Sequence, residues 1–340
     1  MGRPTIKDVA KLASCSTAAV SLVMNNKDTS ISQSTRTRIL DAVNELGYRP
    51  NQLAVSMITG HSRVLGLIIP DNSNSFFSGL SKAIELAANQ VGYALIYGNT
   101  NNNPQNDISY LKMFTDRQTD GIIFTKAASQ FTKESKECVN FIQKSSIPLV
   151  AVDRAIPGIH SILLDHFRGG YIATKHLISL GHTRIGCYTG PHNLVSSRER
   201  LKGYQYALES ANIKFDENLV FEGNYEFGFE KEAFAYLQRQ NVTAIFAFND
   251  LMAIGMYREI YRNGLRIPED ISIVGFDDIP FCDLLSPPLT TVHQPVESIG
   301  QCSVKTLLDM IEGRESLHSE QQYKFEPVLA IRNSTGKLRR

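Results

Sequence analysis

Short apolar runs that alternate with amphipathic stretches constrain the fold of this chain more than any other feature. Seven runs of four to six residues lie at positions 64–69, 94–97, 121–124, 148–152, 184–188, 244–248 and 272–276. Helical periodicity marks the segments 80–91, 107–115, 173–180, 201–209, 231–237 and 252–261. Because strands buried on both faces are continuously apolar, this order predicts an α/β fold with parallel sheets covered by helices.

Two doubly wound parallel-sheet lobes fit residues 63–340 better than one very wide sheet. Breaks at Pro157-Gly158 and at Ser286-Pro287-Pro288 indicate crossovers between the lobes, so each lobe is discontinuous in sequence. We therefore expect one lobe to contain about 63–160 with 290–320, and the other about 161–289 with 321–335.

The first 47 residues, which we call the head, predict a separate all-α unit. Thr5 can cap a first helix that runs through Ala13, a short break follows, and a second helix covers 17–24. A third helix follows Ser32 and ends at Gly47. This pattern fits a plain three-helix bundle and also a helix-turn-helix, in which the second helix presents its N-terminal residues to base edges.

Residues 48–62, which we call the hinge, predict one further short helix. Pro50 suits its first turn and Gly60 suits a left-handed C-cap, which leaves a helix of about two turns. Isolated helices below ~12 residues are marginal in water. We therefore expect the hinge helix to be ordered only when the head engages its partner.

The charge distribution favours a polyanion as the partner of the head. Residues 1–62 hold seven Lys/Arg and four Asp/Glu, a net charge of +3, whereas the whole chain carries +1, so the remainder carries −2. The excess is small, and the motifs described below are the stronger evidence.

Several classes of protein are disfavoured by the sequence. The five cysteines are widely spaced and include no C-x-x-C pair, so they predict neither a disulfide framework nor a metal site, and they suit a reducing cytoplasm. No apolar run reaches membrane-spanning length, and the polar start does not resemble a signal peptide. The motifs of phosphate loops, dinucleotide sites, zinc proteases and serine hydrolases are missing, so we expect a cytoplasmic protein without enzyme activity or cofactor.

The order of residues in the head closely resembles the DNA-binding domain of LacI/GalR-family transcriptional regulators. The matching segments are 5–13 (TIKDVAKLA), 19–25 (AVSLVMN), 31–32 (IS) and 46–51 (LGYRPN). This resemblance implies that 1–47 is a helix-turn-helix domain and that 48–62 is a hinge helix and linker. It also implies a homodimer that binds near-palindromic operator DNA, and the absence of a C-terminal heptad tail gives no reason to expect a tetramer.

Carried over by motif, the resemblance implies the roles of individual DNA-contacting residues. Thr17, Ala18 and Leu22 occupy base-reading positions, whereas Ser16, Ser21 and Asn25 occupy phosphate-contacting or capping positions. The complete set that we predict to contact DNA is Thr5, Ser16, Thr17, Ala18, Ser21, Leu22, Asn25, Asn51, Leu53, Ala54 and Met57.

Two of these residues depart from the family pattern. Leu22 replaces an arginine that is common there, and an aliphatic side chain can only contact a thymine methyl group or pack internally. Met57 replaces the usual leucine that enters the minor groove between base steps. Methionine has a similar volume, so a wedge role remains open, as does packing of one hinge helix against the other in a dimer.

The two predicted lobes resemble the periplasmic sugar-binding-protein fold that this family uses to bind its effector. In such folds the ligand lies in the crevice at the carboxyl ends of the strands. Polar or aromatic residues follow the predicted strands at 71–77, 125–126, 153–154, 196–200, 249–250 and 277–278. Carboxylates and arginines there suit a polyhydroxyl ligand, although many of these residues, Asp250 in particular, could equally be helix caps.

Three motifs resemble those that hold the effector in this family: 200–204 (RLKGY), 248–250 (FND) and 274–278 (VGFDD). They imply that Arg200 and Asp277 form the principal clamp. The complete predicted effector set is Phe76, Phe77, Thr125, Asp153, Ser196, Arg198, Arg200, Tyr225, Asn249 and Asp277. The aromatic members could instead belong to the core.

The identity of the effector is less well constrained than its position. Segments 181–184 (GHTR), 222–227 (EGNYEF) and 286–295 (SPPLTTVHQP) are similar to ribose-operon repressors, which makes ribose a candidate. Arg198 and Lys126 leave an anionic sugar open as an alternative effector. A sugar-binding receptor or a sugar-modifying enzyme is a more remote alternative.

Overall fold

A computed structural model of the chain describes residues 4–24, 31–50, 52–127, 133–317 and 320–338. The chain divides into two compact units, Met1–Arg63 and Val64–Arg340. The helices of the first unit are α1 (Ile6–Leu12), α2 (Thr17–Met24), α3 (Gln33–Leu46) and α4 (Gln52–Thr59).

The head helices begin and end where local side chains satisfy their terminal backbone groups. The Asp8 carboxylate at the start of α1 accepts hydrogen bonds from the Thr5 amide at 2.8 Å and from its hydroxyl at 2.7 Å. Gly47 ends α3 in the left-handed conformation, with φ at 58°. Val9, Val20 and Ile39 pack together in a small apolar core, which confirms the predicted three-helix head.

The second unit alternates strands and helices along its whole length. In chain order, its elements are β1 (Val64–Ile69), α5 (Ser75–Gln90), β2 (Ala94–Asn99), α6 (Pro104–Asp116), β3 (Gly121–Phe124), α7 (Lys133–Lys144), β4 (Leu149–Val152), β5 (Ser161–Leu164), α8 (His166–Ser179), β6 (Ile185–Thr189), α9 (Val195–Ser210), β7 (Val220–Glu222), α10 (Glu230–Arg239), β8 (Ala244–Ala247), α11 (Asp250–Arg262), β9 (Ser272–Asp277), β10 (Thr290–His293), α12 (Val296–Ile311), β11 (Gln322–Phe325) and β12 (Val328–Ala330). Two 3-10 helices, Glu217–Leu219 and Pro280–Leu284, are the other helical elements in the described part of this unit.

These strands form two sheets, as the sequence predicts, and each sheet has six strands. Seven of these twelve strands are predicted from the sequence. The strand order is β11-β5-β4-β3-β1-β2 in the first lobe and β12-β10-β9-β8-β6-β7 in the second. All pairs are parallel except β10 with β12. Helices cover both faces of each sheet, so strands such as β3 and β9 are completely buried.

The lobe crossovers lie one strand later in the chain than the sequence predicts. β5 and β11 pair with each other in the first sheet, whereas β10 pairs with β9 in the second. The crossovers therefore fall near 165, 294 and 326, not near 160, 290 and 320. The breaks at Pro157-Gly158 and Ser286-Pro287-Pro288 are loops within a lobe, each followed by the last strand before a crossover.

Most helices begin earlier than their apolar periodicity predicts. α8 begins at His166, where the Asp165 carboxylate accepts the Arg168 amide at 2.8 Å, and α5 begins after Asn74, which accepts the Phe76 amide at 3.0 Å. Their polar or glycine-containing first turns hide the amphipathic pattern. Among the described residues, no helix is both long and apolar enough to cross a membrane.

Candidate functional site

Helix α2 divides its side chains between the head core and the surface. Val20 and Val23 are buried, whereas Thr17, Ala18 and Leu22 are exposed on the opposite side. The predicted base-reading residues therefore share one accessible face, and Leu22 is not packed internally.

The other predicted DNA-contacting residues have mixed surroundings. The Ser16 hydroxyl accepts the Ala19 amide at 3.1 Å and so caps α2, Thr5 is exposed beside Asp8, and Ser21 is half-buried. Met57 on α4 is 86% exposed. Asn25, Asn51 and the side chains of Leu53 and Ala54 lie outside the described residues.

The predicted effector residues converge between the two lobes at the carboxyl ends of their strands. We call this cavity the inner chamber; its volume is about 40 Å³. Its lining comprises Asn74, Phe76, Phe77, Asp153, Arg154, Ser196, Arg200, Tyr225, Asn249 and Asp277. Eight of the ten predicted residues are therefore brought together, and Asn74 and Arg154 join them.

The other two predicted residues, Thr125 and Arg198, do not line the inner chamber. Thr125 is buried after β3, where its amide donates to the Ile68 carbonyl at 2.9 Å. Arg198 donates to the His192 carbonyl at 2.9 Å. Positions 196 and 200 share one face of α9 because they are four residues apart, whereas position 198 points away from that face.

Arg200 is the most extensively held residue in the chamber. Its Nη2 lies 3.9 Å from Asp277 Oδ1, and its Nε donates to His166 Nδ1 at 3.3 Å. Its Nη1 donates to the Phe248 carbonyl, and the guanidinium carbon lies 3.5 Å from the centre of the Phe276 ring. These contacts fix the orientation of the guanidinium before any ligand binds.

Two close helix contacts allow Arg200 to reach this position. Helices α8 and α9 approach so closely that a β-carbon at Gly203 would overlap the Phe167 carbonyl oxygen, and one at Gly170 would overlap the Arg200 carbonyl oxygen. The Tyr204 hydroxyl then donates to the Ile185 carbonyl at 2.8 Å. The 200–204 motif thus combines one functional side chain with the residues that place its helix.

Asp277 is the acidic half of the predicted clamp. Burial raises its pKa well above the ordinary range, although the nearby Arg200 charge opposes this. Gln294 Nε2 donates to Asp277 Oδ1 at 2.5 Å, so a residue at the second crossover contacts the clamp directly.

Asp153 extends the polar network into the first lobe. Its Oδ1 lies 3.4 Å from His166 Nε2, and its Oδ2 lies 3.6 Å from Arg154 Nε. Burial alone would raise the pKa of Asp153, but the His166 hydrogen bond and the surrounding cations lower it. Burial also lowers the pKa of His166. Asp153, His166, Arg200 and Asp277 form a continuous polar chain across both lobes.

The backbone is strained at three chamber residues. Asp153, Tyr225 and Asp277 have φ values of 66°, 69° and 114°, a region that residues other than glycine rarely adopt. Such conformations cost of order 1–3 kcal/mol each and cluster at functional sites.

Asn249 and Asp250 have mainly positioning roles. The Asn249 side-chain oxygen accepts the Met252 amide at 2.8 Å as the cap of α11, and its nitrogen donates to the Tyr225 carbonyl at 2.9 Å. The buried Asp250 carboxylate accepts from the Ile279 amide and from Thr291 Oγ1. The capping alternative therefore holds for Asn249, and Asp250 braces the sheet behind the chamber.

Sequence reasoning omitted Asn74, Arg154, His166 and Gln294 from the site. Asn74 and Arg154 lie in segments that follow predicted strands, so their position in the sequence could have indicated that they belong to the site. His166 lies directly after the first crossover, near 165, and Gln294 lies at the second, near 294. Only the observed strand pairing locates these crossovers.

Comparison with known proteins finds a matching family model for each of the two units. Residues 5–51 match the model of bacterial regulatory proteins of the lacI family, and residues 174–335 match a periplasmic binding protein-like domain. The chain is 36% identical to the HTH-type transcriptional repressor PurR of Vibrio campbellii, over 98% of this chain and 99% of that protein.

Two solved structures are similar over most of the chain. A lac repressor dimer bound to operator and the anti-inducer ONPF matches with a TM-score of 0.86 and 27% identity, covering 98% of this chain and 100% of that one. An Enterococcus faecium LacI-family regulator with bound ribose matches with a TM-score of 0.71 and 32% identity, covering 81% and 100%. The chain belongs to the lacI family of DNA-binding transcriptional regulators.

Proposed function

We propose that this protein is a homodimeric repressor whose affinity for near-palindromic operator DNA is switched by a neutral sugar that both Arg200 and Asp277 contact. The observation that carries the proposal is the convergence of eight predicted effector residues on one chamber between the lobes. Ribose is one candidate effector, since it is the ligand in a similar regulator of known structure.

The exposed face of α2 supports the DNA-binding half of the proposal. Thr17, Ala18 and Leu22 present small or apolar groups that can contact base edges and thymine methyls. A single head offers few contacts, and two-fold protein symmetry matches two-fold operator symmetry. The lac repressor in the similar structure is a dimer on its operator. A regulator of this kind acts in the cytoplasm, where bacterial DNA lies.

The acidic side chains of the inner chamber support a neutral ligand. Its two cations, Arg154 and Arg200, already face two acidic side chains, Asp153 and Asp277. Arg198 and Lys126, the residues that favoured an anionic sugar, lie outside this chamber. An anion would therefore approach the Asp153 carboxylate, whose pKa is lowered, without an additional cation to compensate it.

A planar heterocycle, such as a purine base, is the second candidate ligand. Phe77 and Tyr225 line the inner chamber, and the Tyr225 ring centroid lies 5.7 Å from the Arg200 guanidinium carbon. Such faces stack on a flat base as well as on the apolar face of a sugar.

Calorimetric titration of the full chain distinguishes these ligands. The probes are ribose, gluconate, ribose 5-phosphate and hypoxanthine, and a thermal-shift screen of further sugars precedes them. We expect at least one neutral sugar to bind and Asp277→Ala to abolish its binding. Binding of only the charged probes, or only of hypoxanthine, would replace the neutral-sugar proposal.

A further inference from the structure

Helix α2 contains no side chain that can make two parallel hydrogen bonds to one base. Its sequence is TAAVSLVM, and the structure describes all of this helix. Guanine is most often recognised by Arg or Lys and adenine by Asn or Gln, and α2 has none of these residue types. Hydrogen-bonded base readout by this helix is therefore limited to the hydroxyl groups of Thr17 and Ser21.

The exposed face of α2 presents methyl groups instead. Val20 and Val23 are buried in the head core, whereas Leu22 is 37% exposed. Ala18 is also exposed, and it neighbours Leu22 on this face because the two residues are four positions apart. Thr17 adds a third methyl group at the N-terminal end of the helix, which is the end that a recognition helix presents to base edges.

Leu22 is the largest apolar side chain on this face, and its burial against DNA requires an apolar partner. The base edges in the major groove carry donors, acceptors and one apolar group, the C5-methyl group of thymine. Against a donor or an acceptor, the Leu22 side chain would displace water without replacing the hydrogen bond that is lost. The transfer of apolar surface out of water therefore favours a thymine beside Leu22.

We propose that α2 selects its operator through thymine methyl groups, and that Leu22 specifies a thymine in each half-site. This inference rests on the DNA-binding part of the proposed function and is independent of the ligand in the inner chamber. 5-Methylcytosine carries a methyl group at the same C5 position as thymine, so Leu22 should accept it in place of thymine. Methylation of a cytosine at this position would then increase operator affinity without any effector.

The test replaces each thymine of the operator in turn with deoxyuridine, which differs from thymidine only in lacking the C5-methyl group. The operator is selected from random DNA by the full chain, and its Kd is measured by fluorescence anisotropy at fixed salt. We expect the Kd to increase about fourfold at one or more thymines of each half-site, the factor that burial of one methyl-sized group provides. Thymines outside the half-sites should tolerate deoxyuridine without a change in Kd.

Two leucine variants separate the Leu22 contact from any effect of deoxyuridine on DNA shape. Leu22→Ala should bind the thymine and deoxyuridine operators within about twofold of each other at the position that Leu22 contacts. Leu40→Ala is the matched control, because Leu40 is a leucine of similar exposure, 39%, on α3, and it should retain the fourfold response of the wild type. Circular dichroism checks that the head is folded in both variants.

Cytosine and 5-methylcytosine at the same position test the methyl group directly. A C·G pair there should weaken binding by the wild type, and 5-methylcytosine should restore the Kd to within about twofold of that of the thymine operator. The inference is overturned, and DNA binding itself left intact, by equal Kd values for thymine and deoxyuridine at every position, by a fourfold response that persists in Leu22→Ala, or by no gain from 5-methylcytosine. If the full chain selects no operator, the DNA-binding part of the proposed function is wrong as well.

Discussion

At the residue scale, two buried carboxylates near the cleft have pKa shifts of opposite direction. Asp153 has His166 and arginine neighbours that lower its pKa despite burial. Burial raises the pKa of Asp107 to about 6, although the Ala127 amide and the charges of Arg154 and Lys126 oppose the shift. The Ala127 amide donates to Asp107 Oδ2 at 2.9 Å, so this carboxylate holds the loop that follows β3.

The raised pKa of Asp107 predicts a specific pH dependence of stability. The folded chain holds this proton up to about pH 6, whereas the unfolded chain releases it near 3.8. The proton on Asp107 therefore contributes about 3 kcal/mol to the free energy of unfolding below about pH 4. This contribution is lost as the pH rises from about 4 to 6.

Asp107→Asn should remove this contribution to the pH dependence. We expect the free energy of unfolding of the variant, measured by urea denaturation at pH 4.5, 6 and 7.5, to rise relative to wild type as the pH increases. A constant difference between the two proteins across this pH range would contradict the raised pKa.

At the element scale, the contact between α8 and α9 positions the clamp. Gly203→Ala should destabilise the protein by about 1–3 kcal/mol, because the added methyl group overlaps the Phe167 backbone and the helices must separate. The same displacement should move Arg200 away from Asp277 and weaken ligand binding.

Gly79→Ala in α5 is the matched control for this prediction. A β-carbon there has no neighbour within 4 Å, so the alanine should stabilise the helix by up to about 1 kcal/mol. Chemical denaturation measures the free energy of unfolding of both variants, and calorimetry measures their ligand affinity. Equal values for the two variants would show that the contact between α8 and α9 tolerates a β-carbon at position 203.

The hinge helix is a second element with a testable role. α4 has eight residues, Gln52–Thr59, and Met57 is largely exposed on it. Met57→Ala should weaken specific operator binding by a few kcal/mol at most, the scale of unstacking a base step, without changing the folding of the head. Ala54→Gly should weaken binding by about 1 kcal/mol through helix propensity.

Competition between operator and random DNA measures the specific operator affinity of both hinge variants. Circular dichroism checks that the head is still folded. Unchanged operator affinity in both would mean that residues 48–62 are an ordinary linker.

Elements also show what sequence can and cannot predict. β1 and β3 were located to the residue because strands buried on both faces are apolar throughout. The crossovers were misplaced because only strand pairing decides to which lobe β10 and β11 belong: β10 pairs with the preceding strand β9, whereas β11 pairs with β5, more than 100 residues earlier. Arg198, predicted as an effector-binding cation near the mouth of the cleft, does not line the inner chamber, because helix phase directs positions 196 and 200, but not 198, towards it.

At the scale of the whole molecule, the polar chain from Asp153 through His166 and Arg200 to Asp277 connects the lobes, and Gln294 connects it to a crossover. A ligand in the inner chamber competes with residues of both lobes for these polar contacts. It can change operator affinity only through its differential affinity for the lobe arrangements. Coupling free energies of this kind correspond to about 5- to 150-fold changes in affinity.

The most direct test is the operator affinity of the full chain with and without saturating ligand. An operator selected from random DNA by the full chain is labelled, and binding is followed by fluorescence anisotropy at fixed salt. We expect the ligand to change the Kd of the wild type about tenfold, and Asp277→Ala to bind operator with the unliganded Kd whether or not ligand is present. A variant lacking residues 1–62 should not bind operator. The same operator Kd for the wild type at zero and saturating ligand would contradict the account.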